Sequence, residues 1–561
     1  MLAEFCAAVL CFVVVTFGLA WPIAARLFLD PAEKILVSAA LSLVGVFLFA
    51  WTTYVFALPT GLVWILPVLA LSGMLVRRSS LVNAVSDPKV RSLLFSQIVV
   101  TAWCLGWLAL VTSYSGGGWT ADWFEHWERA RFFVEQRTPD FRFLGHYSFT
   151  ARPPLANFVN GAFLRLGPGS FWHYQVISTL FGSLVFLPAA LCARSLGAGK
   201  REVAIVGVLL MVNPLFVQNA TFAWTKLPAA FFVLSAIYFF RRSLDSDGPR
   251  AAPILCAISL AAAVLCHYSA IPYAMIVAFA WMICVRSRRI RIRDSWQAMI
   301  LGVGLLVTWF GWAFATYGVS GTFLANSSVA GASDSVAAQL IRIGLNLRDT
   351  IVPHFARDIP GTLIAQTSHL GAWRDWWFQL YQLNLLFAFG SVGWLVILIL
   401  LWRERRETPA RKVAAITSAV IATILLGVAV HGSRDTWGLT HICLQPLVLL
   451  GIVYLGSRWQ KLDRSGRSVV VAGAALDFSL GIALHFKLQS HTLSYWFAPK
   501  LSLEAWANTY NSGAVMNLAG KVVNRVEFFE DVWPINPLLN LAFLTVLLGA
   551  AVYGAGRRQP T

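Results

Sequence analysis

The sequence predicts an all-α polytopic membrane protein with about 13–15 transmembrane helices, amphipathic surface helices and small extracytoplasmic loop segments. Two observations carry this prediction. Of the 561 residues, 58% are hydrophobic and only 12% are charged, about half the charged fraction of an average soluble chain. The apolar residues also gather in runs long enough to cross a bilayer, where the backbone must be helical because lipid offers it no hydrogen-bond partner. This composition excludes disordered, collagen-like and ordinary soluble proteins.

The net charge of +18 could indicate an acidic partner or could mark the orientation of membrane spans. One set of short loops holds about 28 Lys and Arg against 10 Asp and Glu, whereas the loops on the opposite side hold about 16 against 15. Basic loops stay in the cytoplasm, so the excess orients the protein and we expect no nucleic-acid partner. Short basic loops and the lack of endoplasmic reticulum signals favour a bacterial inner membrane.

The apolar runs divide the chain into seven parts. The first run lacks a basic segment before it, so it is interpreted as a retained span and not as a signal peptide. In order, the parts are N-terminal transmembrane helices (1–112), a first extracytoplasmic loop with surface helices (113–170), a transmembrane core (171–317), a second extracytoplasmic loop (318–382), further transmembrane helices (383–486), an extracytoplasmic cap segment (487–537), and a last transmembrane helix with a basic cytoplasmic tail (538–561).

The first extracytoplasmic loop carries the strongest chemical signal. Apolar residues at positions 123, 124, 127, 130 and 134 follow helical spacing, which predicts an amphipathic helix lying on the membrane surface. Asp122 begins this helix. It could cap the helix, or it could be a general base whose pKa is tuned by partial burial.

A second motif follows in the same loop. Arg152 is followed by Pro153, Pro154 and Leu155 and then by a short amphipathic stretch. The prolines hold the chain extended before that stretch. A cation fixed in this way could bind a phosphate oxygen, although a rigid turn with a solvated Arg has the same pattern.

These motifs together resemble the GT-C superfamily of polytopic glycosyltransferases, in particular the branch of protein mannosyltransferases and lipid A aminoarabinose transferases. The resemblance rests on the acid that opens a surface helix after an early span, a small residue eight positions later (Ala130), a basic-Pro-Pro-Leu motif about thirty residues after the acid, and the row of spans that follows. It is best over about 113–240. It implies a catalytic role for Asp122 and a donor-phosphate contact for Arg152.

The resemblance also implies the reaction. A sugar would pass from a polyprenyl-phosphate-linked donor to an acceptor hydroxyl, with inversion, at the extracytoplasmic side of the membrane. The acceptor could be a glycan, a lipid or a protein, and we expect no metal and no cofactor. The sequence departs from the family in two places: Trp123 follows Asp122 where an Asp-Glu pair is common, and His126 occupies an aromatic position. Glu125 could therefore share or take over the role of the acid.

Further basic or titratable residues fall on the same predicted side as Asp122. Lys226 stands where many relatives carry a second acid; it could extend to the membrane interface or face the anionic head of a lipid donor. The candidates for phosphate or sugar contacts are Arg152, Lys226, His267, Arg434 and His441. Asp477 lies inside a span, where a carboxylate is a functional candidate by default; we expect a hydrogen-bonded or protonated packing role for it.

Two other functions remain open from the sequence. A transporter or flippase of lipid-linked glycans would be expected to show broken or charged midplane helices and internal repeats; Asp477 favours it, whereas the three long outer segments argue against it. A non-catalytic subunit derived from a GT-C enzyme is consistent with the altered acid pair.

Overall fold

The computed structural model describes residues 2–111, 114, 122–143, 145, 147–323, 335–357, 369–431, 438–488 and 527–556, and this part of the chain is helical throughout its regular structure. The first helices are α1 (Leu2–Gly18), α2 (Trp21–Ala24), α3 (Pro31–Val55), α4 (Ile65–Val76), α5 (Arg78–Ser86), α6 (Pro88–Leu108), α7 (Asp122–Val134), α8 (Leu155–Arg165), α9 (Phe171–Ser183) and α10 (Phe186–Ser195). Next come α11 (Lys200–Met211), α12 (Pro214–Thr221), α13 (Lys226–Arg242), α14 (Ala252–Cys266), α15 (Ile271–Arg286), α16 (Ile292–Phe323), α17 (Val336–Ile351) and α18 (His369–Leu383). The last are α19 (Leu385–Ala388), α20 (Gly393–Glu404), α21 (Ala410–Val430), α22 (Gln445–Ser457), α23 (Arg464–Asp477), α24 (His485–Lys487), α25 (Phe529–Val532) and α26 (Pro537–Gly556).

Ten helices in the described part of the chain are long and apolar enough to cross a membrane, or up to 12 if each of two bent pairs is one span. The bent pairs are Thr60–Val76 with Arg78–Ser86 and Lys200–Met211 with Pro214–Thr221, and Ala252–Cys266 is a shorter apolar helix. The prediction of an all-α polytopic membrane protein is confirmed.

Several helices begin at a short polar residue followed by proline. Asp87 accepts hydrogen bonds from the backbone N–H groups of Lys89 (2.7 Å) and Val90 (3.2 Å). Asn213 accepts one from Phe216 N–H (3.0 Å). Each of these caps satisfies donors that a helix start leaves free, and the proline at the first position has no N–H to satisfy. The caps fix where α6 and α12 begin.

The bend between α11 and α12 exposes the Met211 carbonyl inside the bundle, where a side chain from α6 satisfies it, and the Asn213 side chain of the bend in turn bonds to the end of α19. The Trp103 indole N–H donates to the Met211 carbonyl (2.7 Å), and Asn213 donates to the Ala388 carbonyl (2.9 Å). A broken span is stable in lipid only where neighbouring helices supply such partners. The bend brings the residues after Thr221 to the side of α7.

Hydrogen bonds and ion pairs between loops join neighbouring helices at their ends. Among the basic loops, Arg194 donates to the Lys89 carbonyl (2.9 Å), and Arg242 pairs with Glu33 (2.7 Å). In the first long loop, Thr150 donates to the Gly321 carbonyl (2.7 Å). These contacts join short basic loops to each other and join the segment before Arg152 to the end of α16; the sides of the membrane that the charge pattern assigns to them stay a prediction.

The two helices of the first long loop pack closely against each other. Gly161 of α8 faces α7 so tightly that a Cβ atom there would lie 2.6 Å from the Ala130 carbonyl oxygen. Ala130 itself is fully buried. Two small residues at this crossing let the backbones of α7 and α8 approach closely.

Gly161→Ala should destabilise the protein by about 1–3 kcal/mol, because the added methyl group must push against backbone atoms that cannot rotate away. The measurement is the midpoint of thermal unfolding in detergent. Gly344→Ala in α17 is the matched control, since a Cβ atom there meets nothing within 4 Å; its midpoint should stay unchanged or rise. Equal midpoints for the two variants would contradict the close crossing of α7 and α8.

Candidate active site

Helix α7 differs from the predicted surface helix in one respect: both its apolar and its polar sides are covered. Glu125, His126 and Arg129 are buried together with the apolar residues of the helix. The amphipathic spacing is present, but the polar side faces residues 148–152 and α8 and not open water. A helix that buries charged groups must pair them, and these pairs form the site.

Glu125 is held by two arginines. Its side chain is 0% exposed, and one carboxylate oxygen accepts from Nε of Arg129 (2.8 Å). The other oxygen lies 3.4 Å from Arg152. Burial raises the pKa of Glu125, but Arg152 and Arg129 outweigh this effect and lower the pKa to about 2. Glu125 is therefore an anchor whose charged form the two arginines favour.

Arg129 links Glu125 to the segment that leads to Arg152. Its guanidinium donates to the carbonyls of Ser148 and Phe149, both at 3.0 Å, and lies 4.1 Å from the centre of the Phe143 ring. Residues 149–151 form a 3₁₀ turn directly before Arg152. The buried pair thereby fixes the position from which Arg152 extends.

Asp122 lies beside this anchor and is less enclosed. Its carboxylate is 3.7 Å from Arg152, and 18% of its side chain is exposed. Burial raises the pKa of Asp122 above its ordinary value of 3.8, while Arg152 and Lys226 act in the opposite direction. An accessible carboxylate with a raised pKa has the properties of a general base.

Lys226 is buried, so it does not extend to the membrane interface. The side chain is 4% exposed, and its ammonium lies 3.7 Å from the centre of the Trp224 ring. Among the described residues no carboxylate lies within the 4.0 Å of an ion pair. Ala223, which precedes Trp224, has a left-handed backbone with φ of 61°; such strain persists where the surroundings hold the turn. The turn directs Trp224 and Lys226 towards Asp122.

His267 and His441 complete the described cluster. Nδ1 of His267 accepts from the backbone N–H of Ser269 (3.1 Å), while Nε2 is buried without a partner in the described residues. Burial, with Arg152 and Lys226, lowers the pKa of His267 well below its ordinary value. The neutral ring therefore carries its hydrogen on Nε2. The centroids of the His441 and Trp224 rings are 5.3 Å apart.

A chain of amides supports the backbone around His441, which lies in the π-helical turn Thr440–Leu444. Gln445 donates to Asn219 (2.5 Å), and Asn219 donates to Gln382 (2.7 Å). These side chains come from α22, α12 and α18. Arg434 lies outside the described residues, so its predicted role stays a prediction.

Asp477 lies away from this cluster, within the span formed by α23. Its carboxylate accepts from the Tyr381 hydroxyl (2.9 Å) and from the Ser391 backbone N–H (3.0 Å). These bonds hold the break between α19 and α20. The hydrogen bonds agree with the expected packing role.

One family matches part of this sequence. Residues 151–312 match the model of dolichyl-phosphate-mannose-protein mannosyltransferases, a family of the GT-C superfamily. The match confirms the GT-C resemblance. It also confirms the prediction of a glycosyltransferase in the membrane. Arg152, Lys226 and His267 lie inside the matched segment, whereas Asp122, Glu125 and His441 lie outside it.

Two solved structures are similar to this chain. One is ArnT from Cupriavidus metallidurans bound to undecaprenyl phosphate, with 13% identity, a TM-score of 0.45, and coverage of 82% of this chain and 77% of that chain. The other is the same protein in the apo state, with 15% identity, a TM-score of 0.44 and the same coverage. No curated protein matches the sequence.

The sequence motifs did not identify two residues of the site. Arg129 stands four positions after Glu125, a spacing that places opposite charges on one side of a helix, so the sequence contained a signal for it. Trp224 had no such signal, because its role depends on the strained turn at Ala223. Among the described residues no cluster of three or more His, Cys, Asp or Glu side chains could hold a metal ion.

Arg129→Gln should destabilise the protein by about 3–5 kcal/mol, because Glu125 would lose its closest counter-charge while staying buried. Arg131→Gln is the matched control in the same helix. Arg131 is 40% exposed and pairs with Glu135 at the surface, so its loss should change the free energy of unfolding by less than about 1 kcal/mol. Denaturant titration in detergent measures both, and equal effects would contradict the buried pair.

Proposed function

We propose that this chain transfers a sugar from a polyprenyl-phosphate-linked donor to an acceptor hydroxyl, with inversion, at the face of the membrane opposite the basic loops. The observation that carries the proposal is Lys226, a buried amine without an ion-pair partner in the described residues, next to Arg152 and a carboxylate; burial lowers the pKa of Lys226 to about 7. A buried unpaired charge is costly, so such a site favours an anion. The family match supports a lipid phosphate as that anion, because its members are described by a dolichyl-phosphate-linked donor.

The proposed reaction is a single displacement. The acceptor oxygen forms a bond to the anomeric carbon while the bond from that carbon to the phosphate oxygen breaks. The acceptor proton passes to the Asp122 carboxylate, and the bonding electron pair leaves with the phosphate. Arg152 and Lys226 stabilise the negative charge that grows there. The Nε2–H of His267 supplies a neutral donor to the same phosphate or to the sugar.

Asp122 is a better base than Glu125 for two reasons. Both oxygens of Glu125 are engaged by arginines and its pKa of about 2 makes it a weak proton acceptor. Asp122 is partly exposed and its pKa is raised, so it can both reach the acceptor and retain the proton. Glu125 is instead a positioning residue that orients Arg152.

The proposal also includes the side of the membrane and the class of acceptor. With the basic loops in the cytoplasm, the site faces the extracytoplasmic side, which in a bacterial inner membrane is the periplasm. The acceptor could be a glycan, a lipid or a protein. A flippase of lipid-linked glycans is the alternative, and it predicts movement of the glycolipid without sugar transfer.

Asp122→Asn should lower sugar transfer by about 10²–10⁴-fold, the usual contribution of a general base. The assay uses purified full-length protein and a labelled polyprenyl-phosphate sugar. Glu125→Gln tests the competing assignment. It should lower the stability of the protein, whereas the fraction that remains folded should keep most of its turnover.

Two results would contradict these assignments. Full activity of Asp122→Asn together with inactive Glu125→Gln would show that Glu125 is the base. Glycolipid translocation by the wild-type protein, without transfer from any polyprenyl-phosphate sugar, would favour the flippase.

Activity should also depend on the protonation of Asp122. The carboxylate must be ionised to accept a proton, so kcat/KM should fall as the pH falls through a pKa above 3.8, the direction expected for a buried acid. Glu125, with a pKa of about 2, stays charged above that pH, so it does not contribute to the fall of kcat/KM in this range. The measurement is kcat/KM between about pH 4 and pH 8. The acidic limb should be absent from the residual activity of Asp122→Asn, and its persistence there would assign it to another group.

A further inference from the structure

Two apolar grooves lie on either side of the contact between α11 and α26, far from the candidate active site. One is lined by α6, α11 and α26 and has a volume of about 340 Å³. The other is lined by α11, α23 and α26 and has a volume of about 440 Å³. Small residues such as Ala204, Ala474 and Gly554 leave this space open.

The grooves have the depth of one lipid leaflet. Along α11 the first runs from Lys200 to Met211 and the second from Arg201 to Val212. About eleven helical residues rise about 16 Å, which is half of the ~30 Å hydrocarbon core. Each groove therefore reaches from the basic face of the bundle to the middle of the membrane.

Positive charge stands at the mouth of both grooves. Lys200 lines the first groove, and Arg201 lines both. Nε of Arg201 donates to the Ala555 carbonyl (2.9 Å), which holds the guanidinium between the two grooves. The neighbouring acid, Glu202, is bound to Gly199 N–H (2.9 Å) and to Gln460 (2.5 Å).

We propose that the two grooves bind the two acyl chains of one anionic glycerophospholipid, with its phosphate facing Lys200 and Arg201 and with α26 between the chains. Basic pockets between transmembrane helices on the cytoplasmic side are suited to anionic headgroups. A zwitterionic lipid would fill the apolar space but would not neutralise the two cations. The lipid-linked sugar donor is not the occupant, because in the proposed reaction its phosphate lies at Arg152 and Lys226, away from these grooves.

The packing of α26 gives this lipid a role. Asn540, Leu544 and Ala555 are the buried residues of the helix, and Asn540 donates to the Gly106 carbonyl (2.7 Å). Most other side chains of α26 face outwards. A lipid that straddles the helix would supply the contacts that hold its basic end to the bundle.

The test uses delipidated full-length protein in nanodiscs of phosphatidylcholine with phosphatidylglycerol of the same acyl chains, and measures bound lipid by native mass spectrometry. The wild-type protein should retain phosphatidylglycerol selectively. Because each cation near the headgroup contributes about fivefold in affinity, Lys200→Gln with Arg201→Gln should weaken retention roughly 30-fold. Arg411→Gln with Lys412→Gln removes the same charge from exposed residues of α21 and should have no effect.

A second pair of variants tests the grooves without altering charge. Ala204→Leu fills the first groove and should also reduce phosphatidylglycerol retention, whereas Ala542→Leu, an exposed residue in the other half of α26, should not. Equal retention of the two lipids by the wild-type protein would overturn the proposal. So would equal losses in the two charge variants or in the two leucine variants.

Discussion

The candidate site depends on the removal of one carboxylate from water. Glu125 is fully buried among aromatic and apolar side chains, so its charge is stable only with counter-charges in contact. Arg129 and Arg152 supply them. Arg129 also binds the carbonyls of Ser148 and Phe149. The residue that neutralises Glu125 therefore also fixes the segment that leads to Arg152.

Several elements then bring their charges to the same place. Helix α7 presents Asp122, the strained turn at Ala223 presents Trp224 and Lys226, and the end of α14 presents His267. The resulting surroundings are rich in cations around one accessible carboxylate. In a site of low polarity such fixed charges act strongly on an anionic ligand, since little water is present to screen them.

The basic face has a different function in the fold. Its arginines bind backbone carbonyls at the ends of neighbouring spans, as Arg194 does at Lys89 and Arg201 does at Ala555. The basic side chains therefore also join helix ends, and Arg201 stands beside the two apolar grooves between α11 and α26. The opposite face, close to neutral overall, contains the candidate chemistry.

Sequence by itself determined the all-α membrane fold, the helix that begins at Asp122, and most candidate residues. These features depend on composition and on residues near in the chain. Only the tertiary structure decided that Glu125 is an anchor, that Lys226 is buried on Trp224, and that Arg152 reaches both acids. These outcomes depend on contacts between residues far apart in sequence, such as Glu125 with Arg152, and on burial. The amphipathic pattern of α7 shows an apolar and a polar side, but it does not show that the protein covers both. The cost of burying charge then decides that Glu125 is paired while Asp122 stays accessible.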